Sequence, residues 1–245
     1  MLQTPFLKKI SLLPERINPD DFPFNTLGFL TPDFAIDFDT PITFFVGENG
    51  SGKSTVLEAI AALCGFHQGG GSNDHINYES TDHTASSLKQ AMRPAWLPKV
   101  SNGFFFRSES FFNLANYIDE TGNLNHYGGT KMQRQSHGES FLSLFTNRIG
   151  TDERAMYLMD EPETALSPSR QLTFLSLLHE WEQSGNAQMI IATHSPIILS
   201  YPNAQIIEFT DTGLKTVSVE ETEHYRVTKN FLSAPERYLK ELMKD

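Results

Sequence analysis

The sequence predicts an α/β fold built on a mostly parallel central sheet covered on both faces. Two observations carry that expectation. Runs of strand length alternate along the chain with runs of helical period, the order that parallel sheets with crossover helices require. The runs at 42–46, 155–159 and 188–193 are also apolar almost throughout, as strands buried on both faces are.

The elements follow in order. Residues 1–46 read as short strands joined by turns containing Pro and Asp, and 34–38 alternates like a half-exposed strand. The buried strand at 42–46 comes next, then a helix over 55–63 with Leu57, Ile60, Ala61 and Cys64 on one face. Gly65 closes that helix. Residues 65–98 begin with a run rich in Gly, Ser and Asn and are expected to form an insertion. Residues 103–109 return to strand character, and a helical stretch covers 110–118. Residues 120–137 are polar and glycine-rich. A helix from Gly138 places Phe141, Leu144, Phe145 and Ile149 on one side. Ser167 before Pro168 is a helix start, and Phe174, Leu177, Leu178 and Trp181 then form an apolar stripe. Strand-like runs at 204–210 and 214–219 and a helix over 235–243 close the chain.

Composition sets bounds. A chain of 245 residues with 39% hydrophobic content suits one large domain. The formal net charge of −11 argues against a broad nucleic-acid footprint and against general attraction to anionic lipid. The lone cysteine, Cys64, permits no internal disulfide and reads as a buried, inert thiol, so a reducing compartment is expected. The first eleven residues lack the apolar core of a signal peptide, and no apolar run reaches membrane-spanning length. The expected location is cytoplasmic.

Chemistry concentrates first between strand 42–46 and helix 55–63. Gly47, Glu48, Asn49, Gly50, Ser51, Gly52, Lys53, Ser54 and Thr55 satisfy G-x-x-x-x-G-K-[ST] in a strand–loop–helix setting. Glycines let the loop turn its N–H groups inward around a phosphate. The helix start adds free N–H groups and its positive dipole end. Lys53 supplies charge near the β- and γ-phosphates, and the Ser54 hydroxyl suits Mg²⁺. The ligands expected are therefore a nucleoside triphosphate and Mg²⁺.

Three further patterns follow. An apolar strand ends in Asp160 and Glu161: the first is placed for the Mg²⁺ shell, the second to polarise an attacking water. Ser136, Gly138 and Glu139 at a helix start form a candidate second anion site. His194 ends the strand at 188–193 and can bond a γ-phosphate or its water. The spacing of His67, His75 and His83 matches no metal pattern.

These four stretches, in this order, resemble the ATP-binding-cassette (ABC) class of ATPases. Within it, the chain looks like compact AAA-family members of the RecF/SMC-like branch. The resemblance implies ATP as that triphosphate and a P-loop NTPase fold of the ABC ATPase type. That fold has an N-terminal antiparallel β portion and a helical or loop insertion at about 65–135 within a single domain, 1–245. Residues 47–55 match Walker A, and 156–161 match Walker B with Glu161 as catalytic glutamate. Residues 136–140 match the signature, 165–167 the D-loop, and His194 the switch histidine. The signature departs from the transporter form, and the Q-loop glutamine has no clear counterpart. Glu109 stands near that place and is a candidate metal ligand.

The resemblance further implies an ATP-dependent head-to-tail homodimer with two composite sites, in which Ser136 and Gly138 of one copy meet the nucleotide of the other. The role expected is a soluble mechanochemical or signalling switch of the DNA-maintenance or anti-phage defence type, with an effector protein or DNA as candidate partners. The alternatives are the nucleotide-binding subunit of a membrane transporter and a slow-turnover ATP-sensing scaffold. Phe22, Phe24 and Phe34 all remain open as the adenine contact.

Overall fold

The computed structural model describes residues 4–67, 70, 85–109, 111, 119, 137–148 and 152–244. The strands are β1 (Leu7–Leu12), β2 (Ala35–Asp37), β3 (Ile42–Val46), β4 (Met92–Trp96), β5 (Gly103–Arg107), β6 (Ala155–Asp160), β7 (Ala187–Ala192), β8 (Gln205–Thr210) and β9 (Gly213–Val217). The helices are α1 (Lys53–Cys64), α2 (Ala85–Ala91), α3 (His137–Arg148), α4 (Pro168–Ser184), α5 (Pro196–Leu199), α6 (Glu223–Ser233) and α7 (Pro235–Leu242).

Six strands form the central sheet in the order β5-β6-β7-β3-β8-β9. Every neighbour pair is parallel except β8 with β9. The remaining strands form a small antiparallel sheet, β2-β1-β4. The mostly parallel sheet and the N-terminal antiparallel portion are thus both present.

Strand periodicity sorts the apolar side chains into two cores. Phe45, Phe105, Leu158 and Ile190 join α1 and the small sheet in one cluster with Ile10, Leu57 and Ile60. Phe44, Phe106, Tyr157 and Ile191 point the other way, against Phe141 and Phe145 of α3 and Phe174 and Trp181 of α4. The apolar stripe of α4 holds: Phe174, Leu178 and Trp181 are buried, with Leu177 half-buried. Cys64 is buried, and burial pushes its thiol up to about 12.

Two glutamines join the sheets. Gln188 of β7 accepts from the N–H groups of Phe6 and Leu7 and donates to Leu7 O. Gln205 of β8 accepts from Asp39 N and donates to Asp37 O. Each satisfies backbone groups that the strand ends would otherwise leave unpaired.

Part of the span at 65–135 is woven into this framework. α2 packs on α1, β4 pairs with β1, and β5 forms an edge of the central sheet. β4 carries Pro94, which suits its edge position in the small sheet. The helical stretch at 110–118 lies outside the described residues except Phe111; the polar run at 120–136, His75 and His83 also lie outside.

Candidate nucleotide site

The parallel arrangement of β3, β6 and β7 brings their C-terminal ends together. At or just beyond these ends lie Lys53, Asp160 and His194, so residues more than a hundred positions apart converge. Such a crevice is where open α/β sheets bind ligands.

The loop after β3 adopts the backbone its glycines were expected to allow. Gly47 has φ 142°, and a Cβ there would lie 2.5 Å from Phe209 O. Gly52 has φ 89°, and a Cβ would collide with Leu27 at 2.7 Å. Side chains at either position would displace the loop from β8 or from the segment after Pro23. Lys53 begins α1, buried, with its Nζ donating to Gly47 O at 2.9 Å and Glu48 O at 2.8 Å. Burial lowers its pKa, opposed by the carboxylates of Glu161, Asp160 and Glu163.

Ser54 Oγ donates to Asp160 Oδ1 at 3.1 Å, bridging the start of α1 and the end of β6. Burial raises the Asp160 carboxyl to about 6, against the Ser54 hydrogen bond and the Arg107 charge. Two hard oxygens at a helix start fit Mg²⁺, which takes few protein ligands beside phosphate oxygens and water. Among the described residues no group of three or more His, Cys, Asp or Glu could hold a metal by itself.

Glu161 sits in the left-handed region with φ 51°. Its backbone is clamped there: its N–H donates to Ala192 O at 2.9 Å, and its carbonyl accepts from Ser108 Oγ and Thr164 Oγ1. A non-glycine residue persists in such a conformation only when its surroundings over-determine it. The side chain stays 41% exposed, with Oε1 lying 3.6 Å from His194 Nε2.

His194 is fixed by a residue the motif reading missed. Glu163 accepts from Thr193 Oγ1 at 2.8 Å and from the His194 N–H. Burial raises the Glu163 pKa, and these hydrogen bonds lower it. A third acid soon after Asp160 was visible in sequence, but its partners lie some thirty residues away. Gln171 was missed too. It donates to Leu166 O at 3.1 Å and accepts from Ser195 Oγ, joining the turn at 165–167 to the residue after His194. His224 of α6 lies 2.7 Å from His194 Nδ1, and no motif signalled it. Burial lowers the pKa of both rings, His194 to about 4.

Glu109 stands at the surface, 86% exposed, 3.3 Å from Arg107. Arg107 also forms a buried ion pair with Glu58 at 3.0 Å, tying β5 to α1. Gly138 and Glu139 occupy the first turn of α3, and Glu139 lies 3.4 Å from Arg170. Ser136 lies outside the described residues.

A cavity of about 360 Å³ beside the loop is lined by Phe22, Thr26 and Leu27 together with Gly50, Lys53 and Thr55. Of the three phenylalanines left open for adenine, Phe34 is core and Phe24 packs on the core, whereas Phe22 lines this cavity and is 42% exposed.

Comparison with known proteins agrees. Residues 25–154, more than half of the chain, match a family described as an AAA domain. The molybdate import ATP-binding protein MolC of Haemophilus influenzae is 27% identical over 183 residues, covering 71% of this chain and 70% of that protein. In fold, cbiO1 from Clostridium perfringens, part of the ABC transporter complex cbiONQ, aligns over 96% of this chain and 99% of its own at 14% identity, with a TM-score of 0.53. The SMC head domain from Thermotoga maritima aligns over 87% of this chain and 100% of its own at 17% identity, with a TM-score of 0.49. With the family match spanning the phosphate loop and the sheet placing its partners around it, the chain belongs to the AAA domain family and is a P-loop ATPase with the fold of an ABC ATPase.

Proposed function

We propose that this ATPase is a nucleotide-driven switch in which two copies close head to tail on Mg²⁺-ATP and open after hydrolysis. The convergence of Ser54 with Asp160 and of Glu161 with His194 at one end of the sheet carries this reading. The loop N–H groups and Lys53 hold the phosphates. Ser54 and Asp160 would hold Mg²⁺, which would neutralise charge on the phosphate oxygens. Glu161 takes a proton from the attacking water, and His194 holds that water or the γ-phosphate in line. Phe22 stacks on the base.

The second half of the site comes from the other copy. Among the described residues lining the cavity beside the loop, none belongs to α3. In this reading the first turn of α3, with Gly138 and Glu139, serves the nucleotide of a partner copy together with Ser136. Losing the γ-phosphate removes that contact, so hydrolysis loosens the dimer. A soluble, cytoplasmic role in DNA maintenance or defence fits the signature variant.

Glu161→Gln tests the reading. Hydrolysis is expected to slow by roughly 10²–10⁴-fold with ATP still bound. The variant is expected to elute as a dimer with ATP and as a monomer without it. Turnover at the parent rate would remove Glu161 from catalysis, and a monomer in saturating ATP would remove the dimer.

The similarity to an import ATP-binding protein supports a second reading, the nucleotide-binding subunit of a membrane transporter. Among the described residues no helix is long and apolar enough to cross a membrane, so that reading requires a separate membrane partner. Co-purification with an integral membrane protein would favour it. ATPase activity stimulated by DNA, and losing that stimulation with salt, would favour the first.

A further inference from the structure

We propose that His224 is a positioning residue for hydrolysis: it donates from Nε2–H to His194 Nδ1 and so fixes His194 as the tautomer that presents Nε2–H to the catalytic cleft. The inference rests on the role given to His194 above.

The two rings meet with Nδ1 of His194 and Nε2 of His224 at 2.7 Å, centroids 4.7 Å apart and planes inclined by 59°. At that distance one nitrogen carries a proton and the other a lone pair. The opposite edge of His194 decides which. Its Nε2 is buried, makes no hydrogen bond among the described residues, and lies 3.6 Å from the Glu161 carboxylate. Were His194 the donor, a bare Nε2 lone pair would face carboxylate oxygen. With His224 as donor, Nε2 carries the proton and is attracted to Glu161. Burial lowers the pKa of both rings, which favours the neutral pair at pH 7. The partner of one ring nitrogen commonly sets the proton position on the other.

The local structure places His224 for this role. Ser218 and Glu221 form a capping box around the short helical turn before α6. Thr222 is fully buried, donates to Val219 O at 2.7 Å, and its carbonyl accepts from Arg226 N. This anchor lies two residues from His224, while α6 itself buries no residue. A cleft of about 660 Å³ separates α6 from the phosphate loop, lined by Glu48, Asn49, Glu161, His194, His224 and Thr228. Lys53, Glu48, Glu208 and Glu223 supply charges acting on the pair.

The tautomer can be read without nucleotide. The full chain, labelled with ¹⁵N-histidine, is expected to show His194 protonated on Nε2 and bare at Nδ1, with the resonance assigned by its loss in His194→Gln. In His224→Ala that signature is expected to give way to a mixture of tautomers at an unchanged melting temperature. The same variant is expected to lower kcat by about 10–100-fold, the scale of losing an orienting partner, with ATP affinity within threefold of the parent. His224→Gln, whose amide can donate to Nδ1, is expected to restore most of kcat. A proton on Nδ1 in the parent, or a His194 signature unmoved in His224→Ala, would overturn the proposal. So would a His224→Gln variant as slow as His224→Ala. Failure of the Glu161→Gln test would leave the tautomer result standing, so the two readings fail separately.

Discussion

The nucleotide face and the C-terminal pair of helices touch through His194 and His224 at 2.7 Å and differ sharply in construction. β3, β6 and β7 are buried at every position. α6 and α7 bury no residue and leave Val227, Leu232 and Leu242 more than half exposed. Apolar area removed from water holds the first region together. The second is held through its anchor at Thr222 and adds little to that sum, yet it reaches His194. The comparison teaches that a segment adding little to stability can still touch the proposed site, so mutations there can separate turnover from folding.

The largest effect is expected in the buried region. Phe141 is fully buried and meets Phe145, Phe106 and Phe174 at centroid distances of 4.4, 4.8 and 6.1 Å. Phe141→Ala is expected to cost about 3–5 kcal/mol, because the surrounding rings cannot close the cavity. Chemical denaturation with unchanged slope would show it. A loss under 1 kcal/mol would mean that the aromatic cluster repacks freely.

Lys53→Ala is expected to act on binding instead. Its ammonium is the full positive charge of the phosphate loop, and charge-assisted bonds to phosphate are strong. ATP affinity is expected to fall by about 10²-fold, read by equilibrium dialysis. Affinity near the parent value would break the equation of this loop with the phosphate site.

Why these residues were readable, and others not, follows from range. Gly47, Gly52, Lys53 and Ser54 act through a backbone turn that spans a few positions, so their spacing carries the geometry. The buried strands announce themselves by composition alone. β4 did not, since Arg93 and Pro94 interrupt its apolar pattern and its pairing with β1 is set some eighty residues away. Glu163 was local, but its meaning depends on Thr193 and the His194 N–H. α6 has no buried stripe to mark it, and His224 acquires a role only when the sheet brings β7 to its side.

Asp160 sharpens the comparison, because there function opposes stability. Burial raises its folded carboxyl to about 6 from an ordinary 3.8. The folded state therefore binds that proton more tightly than the unfolded chain. The resulting stabilisation is complete below the ordinary value, declines as pH rises, and is gone above about 6. At neutral pH the nucleotide-free protein carries a buried charge it would be more stable without. Asp160→Asn keeps an acceptor for Ser54 and removes that charge. Its melting temperature at pH 7.5 is expected to exceed the parent's by roughly 2–6 °C, with no gain near pH 4. Hydrolysis is expected to be lost. A lower melting temperature at pH 7.5 would show that the Arg107 charge outweighs desolvation.

The smallest effect is expected at the outer end of the C-terminal helices. Leu232 is 70% exposed and Leu242 77% exposed, so neither loses much contact when truncated. Leu232→Ser with Leu242→Ser is expected to change folding free energy by no more than about 0.5 kcal/mol, measured by the same denaturation. The double variant leaves Thr222 and His224 in place, so its turnover is expected to match the parent. His224→Ala in the neighbouring turn is expected to be equally silent in denaturation and slow in turnover. That pair of outcomes would locate the coupling of this arm to hydrolysis in one hydrogen bond rather than in the helix as a whole. A stability loss of 2 kcal/mol or more from the leucines would mean that their apolar face is covered in solution, and the contrast between the two regions would no longer hold.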